Sequence, residues 1–325
     1  MAKSVDMKRA RLIMNPVSGG EQPNPMKLPE IVAALEAANI RADLTFTAPD
    51  RSPTQIAQQA VEEGYEIVVV GGGDGTVSEV AKGLIYAPIP LGIIPIGTYN
   101  NIARSLNLPT NLAAACKVLA QGQVRSIDVG QANHEHYFFE VAGVGLDAVL
   151  FPLGEAIKGG RWERFLQAAQ LMMTYRPQQI RLLLDRSILQ AKGQPTKQLP
   201  FLRKSIAKIK SRRELRFSVL LVVIANGPYY GAGFTVVPDA CMDDGLLTVS
   251  VFRGFSKWQL LRHFWSISKG QHHYSPKIET YHVAELQLSS PHAQLPVHVD
   301  GHLIGALPVT LKVLHRALKV LVPAG

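Results

Sequence analysis

Residues 68–79 read Val-Val-Val-Gly-Gly-Gly-Asp-Gly-Thr-Val-Ser-Glu, and this stretch constrains the chain more than any other. Three consecutive valines form a strand buried on both faces. Four glycines in five positions, Gly71, Gly72, Gly73 and Gly75, then let the backbone turn sharply and come close to a ligand. A helix starting there aims its first amides at anything anionic. Thr76 and Glu79 stand at S/T-x-x-E spacing, which predicts a capping box at the helix start. Asp74 is the odd member, because a carboxylate beside a phosphate is repelled unless it holds Mg²⁺ or accepts a proton from an attacking hydroxyl. Read without a ligand, the same residues make a tight strand-to-helix turn in which Asp74 caps backbone amides.

The surrounding sequence places this turn in a repeating pattern. Arg11–Met14 reads as a strand, Pro29–Ala38 as a helix, Arg41–Phe46 as a strand and Pro53–Glu63 as a second helix. Ile67–Val70 and Leu91–Pro95 add strands, and helices follow near Asn101–Leu106 and Leu112–Gly122. Alternation of this kind predicts a parallel sheet covered by helices, an α/β nucleotide-binding architecture. Its loops after successive strands emerge at one carboxyl-end edge. Two more polar, glycine-containing loops belong there: Asn15-Pro16-Val17-Ser18-Gly19-Gly20 and Gly97-Thr98-Tyr99-Asn100-Asn101. Neither G-x-x-x-x-G-K-[ST] nor G-x-G-x-x-G is present, so a P-loop NTPase and an ordinary dehydrogenase are disfavoured. Beyond residue 126 the pattern becomes strand pairs, with turns at Gly130, Asn133, Asn226-Gly227, Asp244-Gly245 and Asp300-Gly301, interrupted by helices over 161–175 and 257–269. Two domains are expected: 1–126, α/β, and 127–325, a mainly β sandwich with a basic insertion over about 186–216.

Charge is concentrated in that insertion. The chain of 325 residues carries a net charge of +9, and residues 186–216 hold ten cations against the single anion Glu214, so the remainder is neutral. Phe201, Leu202, Ile206 and Ile209 fall near one helical face with Arg203, Lys204, Lys208, Lys210 and Arg212 around them, as in a helix drawn to anionic lipid. A solvated charged loop is the plainer reading. Nucleic acid is disfavoured because no aromatic stacking platform accompanies the cations. Cys116 and Cys241 lack a metal-binding or disulfide spacing, and the histidines at 134, 136, 272 and 273 lack zinc spacing. The charged N-terminus and the short apolar runs predict a protein neither secreted nor membrane-spanning, cytoplasmic and peripheral to a membrane.

The combination NPVSGG (15–20), GGGDGTVSEV (71–80), IPIGTYNNIARSL (94–106), PDACMDDGLL (238–247) and VDGH (299–302) resembles the diacylglycerol kinase catalytic-domain family, which includes sphingoid-base kinases and bacterial lipid kinases. The resemblance spans nearly the whole chain. It implies an α/β nucleotide domain, a C-terminal β-sandwich, an active site in the cleft between them, and transfer of the γ-phosphoryl group of ATP to a lipid hydroxyl with Mg²⁺. It further implies that Asn15, Pro16, Val17, Ser18, Gly19, Thr47, Gly72, Gly73, Asp74, Gly75, Thr76, Val77, Ser78 and Thr98 lie against ATP. A Mg²⁺ loop would use the Asp244 carboxylate with the carbonyls of Cys241 and Leu246, where the residues alone also read as an Asp-Gly hairpin turn.

Two positions depart from the family pattern. His302 stands where a Glu usually serves as general base; a neutral imidazole also accepts a proton, and without that role His302 caps the Asp300-Gly301 turn. Asn101 stands where many members carry Asp. The expected activity is therefore a lipid kinase with Asp74 and His302 as catalytic residues, acting on a diacylglycerol-like acceptor ahead of a sphingoid base. The alternatives are a catalytically silent lipid- or nucleotide-binding protein of the same fold and, more distantly, a nicotinamide nucleotide kinase, which shares a GGDGT turn. The sequence leaves the oligomeric state open, a homodimer included.

Overall fold

The computed structural model describes residues 7–15, 27–48, 50–146, 148, 170, 173–185, 188–189, 212–256, 258–259, 262–263, 266, 277–291 and 294–324. Pro16, Val17, Ser18 and Gly19, most of the 186–216 segment, most of the helices expected over 161–175 and 257–269, and the histidines at 272 and 273 lie outside the described residues. The chain divides into two compact units, Met1–Ile127 with Arg316–Gly325, and Asp128–His315.

In the first unit β1 (Lys8–Met14), α1 (Lys27–Ala37), β2 (Ile40–Phe46), α2 (Pro53–Glu62), β3 (Ile67–Gly72), α3 (Asp74–Lys82), β4 (Leu91–Pro95), α4 (Asn101–Ser105) and α5 (Leu112–Gln121) follow the expected alternation. The strands pair in parallel in the order β2-β1-β3-β4. Every residue of β3 is buried, as a central strand covered on both faces requires. Leu12 and Val69 pack with Ile31 and Leu35 of α1 and with Cys116 and Leu119 of α5. On the helical side, Pro53 opens α2 where a missing N–H costs nothing, and the Asn111 side chain caps α5 by accepting from Ala114 N at 3.1 Å.

The chain continues through β5 (Gln123–Ala132), β6 (His136–Phe138), β7 (Val141–Gly145), β8 (Gln178–Asp185), β9 (Ile188–Leu189), β10 (Arg212–Ala225), β11 (Tyr229–Tyr230), β12 (Phe234–Thr235), β13 (Leu247–Arg253), β14 (Ile278–Val283), β15 (Glu285–Ser289), β16 (Pro296–Val299), β17 (His302–Ala306) and β18 (Val309–Val322). Pairing in the second unit is antiparallel, in the order β17-β16-β7-β10-β8-β15-β18, with β13 joining β10 to β14. The long β10 organises this unit, because its first half pairs β8 while its second half pairs β7 and β13. Its inward residues Phe217, Val219, Val222 and Ile224 share one core with Leu182, Leu184, Val249, Leu286 and Leu311.

Two expectations need correction. Residues 316–325, assigned from sequence to the second domain, belong to the first unit, where Val320 pairs in parallel with Leu91 of β4. Ala317, Leu318, Val320, Leu321 and Val322 are all buried there, which is the demand of a strand covered on both sides. Gly130 makes no turn. It lies inside β5 opposite Phe138, whose ring fills the space a Cβ at Gly130 would occupy, 2.2 Å from its nearest carbon.

Candidate active site

In the first unit the strand registers bring the predicted loops to one edge. Met14 lies beside Phe46 and Gly71, and Gly72 lies beside Pro95, so β1, β2, β3 and β4 end within a residue of one another. Asn15, Thr47, Gly73 and the 96–98 segment therefore leave the sheet together, and the Thr47 amide donates to Met14 O at 2.9 Å. The Asn15 side chain reaches Thr76 Oγ1 at 3.4 Å, which joins the first loop to the glycine-rich one.

The glycine-rich turn touches the 97–101 loop directly. A Cβ on Gly97 would lie 2.3 Å from the Gly73 Cα and one on Gly73 3.2 Å from the Gly97 Cα, so Gly97 leaves no room for a side chain and Gly73 little. Asn100 closes this second loop from a left-handed conformation, φ +51°. Its Oδ1 accepts from Gly97 N and its Nδ2 donates to Gly97 O, both at 2.9 Å. The Asp74 carboxylate then crosses between loops, with Oδ1 accepting from Ile102 N, in the first turn of α4, at 3.0 Å. Asn100 was not singled out from the sequence, where an Asn-Asn pair after a Gly reads only as a turn.

The capping box is not formed. Helix α3 begins at Asp74, with extended Gly73 as N-cap and the first helical bond from Val77 N to Gly73 O at 2.9 Å. Thr76 is thus the third helical residue, its hydroxyl accepts from Asn15, and Glu79 pairs with Lys82 instead. The helix starts earlier than the capping pattern predicts because an acidic residue in the first turn suits the positive end of the helix dipole. Asp74 and Gly75 precede the first helical bond and carry amides that point off the end of the ladder. Among the described residues no atom lies within 4 Å of a Cβ placed on Gly75, so the turn is open on that side. Val77 and Ser78 face the other way, with side chains 3% and 8% exposed, and serve the packing of α3. Thr98 is exposed at the same edge.

In the second unit the VDGH segment forms the β16–β17 hairpin. Val299 pairs with His302 across the two-residue turn Asp300-Gly301, with φ of +43° and +83°, the pair of positive values an Asp-Gly hairpin turn uses. The Asp300 carboxylate accepts three backbone amides, Oδ2 from Phe139 at 2.8 Å and Oδ1 from Glu140 at 3.0 Å and Val141 at 2.9 Å. Burial pushes its carboxyl above the usual carboxylate range, against the opposite pull of these amides. The Glu140 carbonyl receives Asn226 N and Gly227 N, and the buried Asn226 side chain donates to Phe139 O and Asp128 O, both at 3.1 Å. His302 itself is exposed on β17 and has no hydrogen-bond partner among the described residues.

The 238–247 loop is held by a pair not foreseen from sequence. Asp128, fully buried, accepts from Gly245 N at 2.6 Å through Oδ2 and meets His315 Nδ1 at 2.8 Å through Oδ1. Asp244 Oδ1 accepts from Leu246 N at 3.0 Å, closing the turn. Hard Mg²⁺ takes oxygen ligands, and the Asp244 carboxylate with the Cys241 and Leu246 carbonyls supplies that chemistry. Among the described residues no group of three or more His, Cys, Asp or Glu is arranged to hold a metal. The Cys241 thiol donates to Asp243 at 3.0 Å, and burial, with that bond and the acidic neighbours, lifts it to about 11. At pH 8 such a thiol is about 0.1% thiolate, so alkylation of Cys241 by iodoacetamide, followed by peptide mass mapping, should run roughly a hundredfold slower than for free cysteine. Labelling at the free-cysteine rate would put a thiolate in this loop.

Comparisons with known proteins match the chain in two stretches, the second of which includes residues 316–322. Residues 9–132 match the family model of the diacylglycerol kinase catalytic domain, and residues 143–322 match that of the YegS C-terminal NAD kinase beta sandwich-like domain. The chain belongs to the diacylglycerol kinase catalytic-domain family. It is 28% identical over 321 residues to a diacylglycerol kinase of Staphylococcus carnosus, covering 97% of this chain and 95% of that protein, and equally identical to one of Staphylococcus saprophyticus. A crystal structure of a diacylglycerol kinase from Bacillus anthracis shares the fold, with a TM-score of 0.69 at 22% identity over 98% of both chains. No helix among the described residues is long and apolar enough to cross a membrane.

Proposed function

We propose that the protein transfers the γ-phosphoryl group of ATP to a lipid hydroxyl, that of a diacylglycerol-like acceptor ahead of a sphingoid base. The observation that carries this reading is the meeting of Gly73 and Gly97 with Asp74 bridging to α4, which gathers two loops at the start of α3, where the Asp74 and Gly75 amides have no partner within the helix. Such a surface suits a polyphosphate, and a protein that bound only lipid would have little use for it. The curated relatives named diacylglycerol kinase support the choice of acceptor.

In this reading Asn15, Thr47, the 72–76 turn and Thr98 position the phosphates, together with Pro16, Val17, Ser18 and Gly19. Mg²⁺ beside Asp74 would neutralise phosphate charge, and the Asp244 carboxylate with the Cys241 and Leu246 carbonyls would hold a separate, structural Mg²⁺. His302 takes the proton from the acceptor hydroxyl as the new P–O bond forms and the bond from the γ-phosphorus to the β,γ-bridging oxygen breaks, releasing ADP. The cations of residues 186–216 bring the enzyme to an anionic membrane surface, each contributing on the order of 1 kcal/mol.

A second reading, a silent binding protein, draws on one observation: among the described residues nothing orients the exposed His302 ring, whereas catalytic bases are usually fixed by a third group. Transfer of labelled γ-phosphate from ATP to diacylglycerols, monoacylglycerols and sphingoid bases in anionic vesicles separates the two. Labelled lipid is expected, and His302→Ala should lower its rate by about a hundredfold or more with ATP binding kept. Absence of product across the panel while ATP still binds would favour the silent protein, and unchanged turnover in His302→Ala would reduce that residue to a turn cap.

A further inference from the structure

Two residues before the Asp300 turn, His298 sits on β16 with no solvent exposure. Burying an imidazole is costly unless both ring nitrogens are hydrogen-bonded. Here both are. Gly301 N, which can only donate, lies 3.3 Å from Nδ1, so Nδ1 accepts and the ring proton sits on Nε2, 3.3 Å from Tyr230 Oη. The Tyr230 ring stacks on the imidazole, centroids 5.7 Å apart and planes within 17°. Between Val297 and His298 the β16–β17 register shifts, a bulge of the kind that re-aims side chains.

We propose that His298, backed by Tyr230, is a positioning residue that fixes the Asp300-Gly301 turn and through it the direction of His302. The proposal rests on the reading of His302 as the base. Asp300 anchors the first turn residue to the 139–141 amides, and His298 anchors the second, so the turn is fixed on both sides before His302 begins β17. An apolar side chain would fill the same space. The polar ring adds a hold on Gly301 N, and it supplies indirectly the orientation that no direct partner among the described residues gives His302.

Leucine and asparagine are near-isosteric, and only asparagine can offer an acceptor to Gly301 N. Amide hydrogen exchange at Gly301 and the kinetics of γ-phosphoryl transfer are therefore compared in the full-length protein and in His298→Leu, His298→Asn and Tyr230→Phe. In His298→Leu, exchange at Gly301 should accelerate at least tenfold and kcat should fall by about tenfold to a hundredfold, with KM for ATP within twofold. His298→Asn should return both to within about threefold of wild type, and Tyr230→Phe should fall between. A histidine there only to fill space would make the leucine variant at least as active as the asparagine one, and that ordering, or unchanged exchange at Gly301 in His298→Leu, would overturn the proposal. If His302→Ala keeps full turnover, the base reading fails instead, while accelerated Gly301 exchange in His298→Leu would still uphold the hold of His298 on the turn.

Discussion

Asp74→Asn is expected to slow γ-phosphoryl transfer by about a thousandfold while leaving the melting temperature within about 2 °C of wild type. The two effects separate because the proposed mechanism gives the Asp74 side chain two functions. Its Oδ1 accepts from Ile102 N at 3.0 Å, and an asparagine Oδ1 can accept the same bond, so the junction between the loops survives. What asparagine removes is the negative charge, and with it the ability to hold Mg²⁺ or to take up a proton near the phosphates. Asp74→Ala is the control that removes both, and it should lose stability as well as activity. Near-normal transfer in Asp74→Asn with a loss only in Asp74→Ala would make Asp74 a cap of α4 and withdraw it from the chemistry. Thermal melts, ATP binding and labelled-phosphate transfer on the three proteins give the answer together.

The second large effect is on folding. Asp300→Ala leaves the amides of Phe139, Glu140 and Val141 without their acceptors. At roughly 1 kcal/mol or more for each buried donor deprived of a partner, the loss should reach about 3 kcal/mol, a fall in melting temperature of roughly 6–12 °C. Part of the alanine effect is backbone strain at φ +43°, so Asp300→Asn is the cleaner comparison because asparagine tolerates that conformation. Its Oδ1 can still receive Glu140 and Val141, but its Nδ2 would face the Phe139 N–H, donor against donor. An intermediate loss is therefore expected for asparagine, ordered between wild type and alanine. Equal melting temperatures for all three would show that water replaces the carboxylate without penalty.

The elements of the first unit were legible because their signals are local. Consecutive apolar residues from Ile67 to Val70, helical spacing over 29–38 and 53–63, and a Gly, Pro or Asn at each break dictate the alternation without reference to the rest of the chain. The α3 start was misread for a local reason too, since Thr76 and Glu79 satisfy a capping pattern that an acidic residue at Asp74 overrides. The anchors of the site were illegible for the opposite reason. Asp128 and His315 are 187 positions apart, and Asp300 and the 139–141 amides about 160. Nothing near either partner announces the other. His298 reads as one more residue of a strand, and only its lack of exposure and its two bonded nitrogens set it apart.

Strand β18 has a further consequence, for the order in which the protein is made. The sheet of the first unit takes Val320 beside Leu91, a pairing across 229 residues of chain. During synthesis domains generally fold from the N-terminus as they emerge. Here the amino-terminal unit completes its sheet only with residues that lie 229 positions beyond β4. Until they arrive, the backbone edge of β4 is the place where a chaperone, or another nascent copy, would meet it.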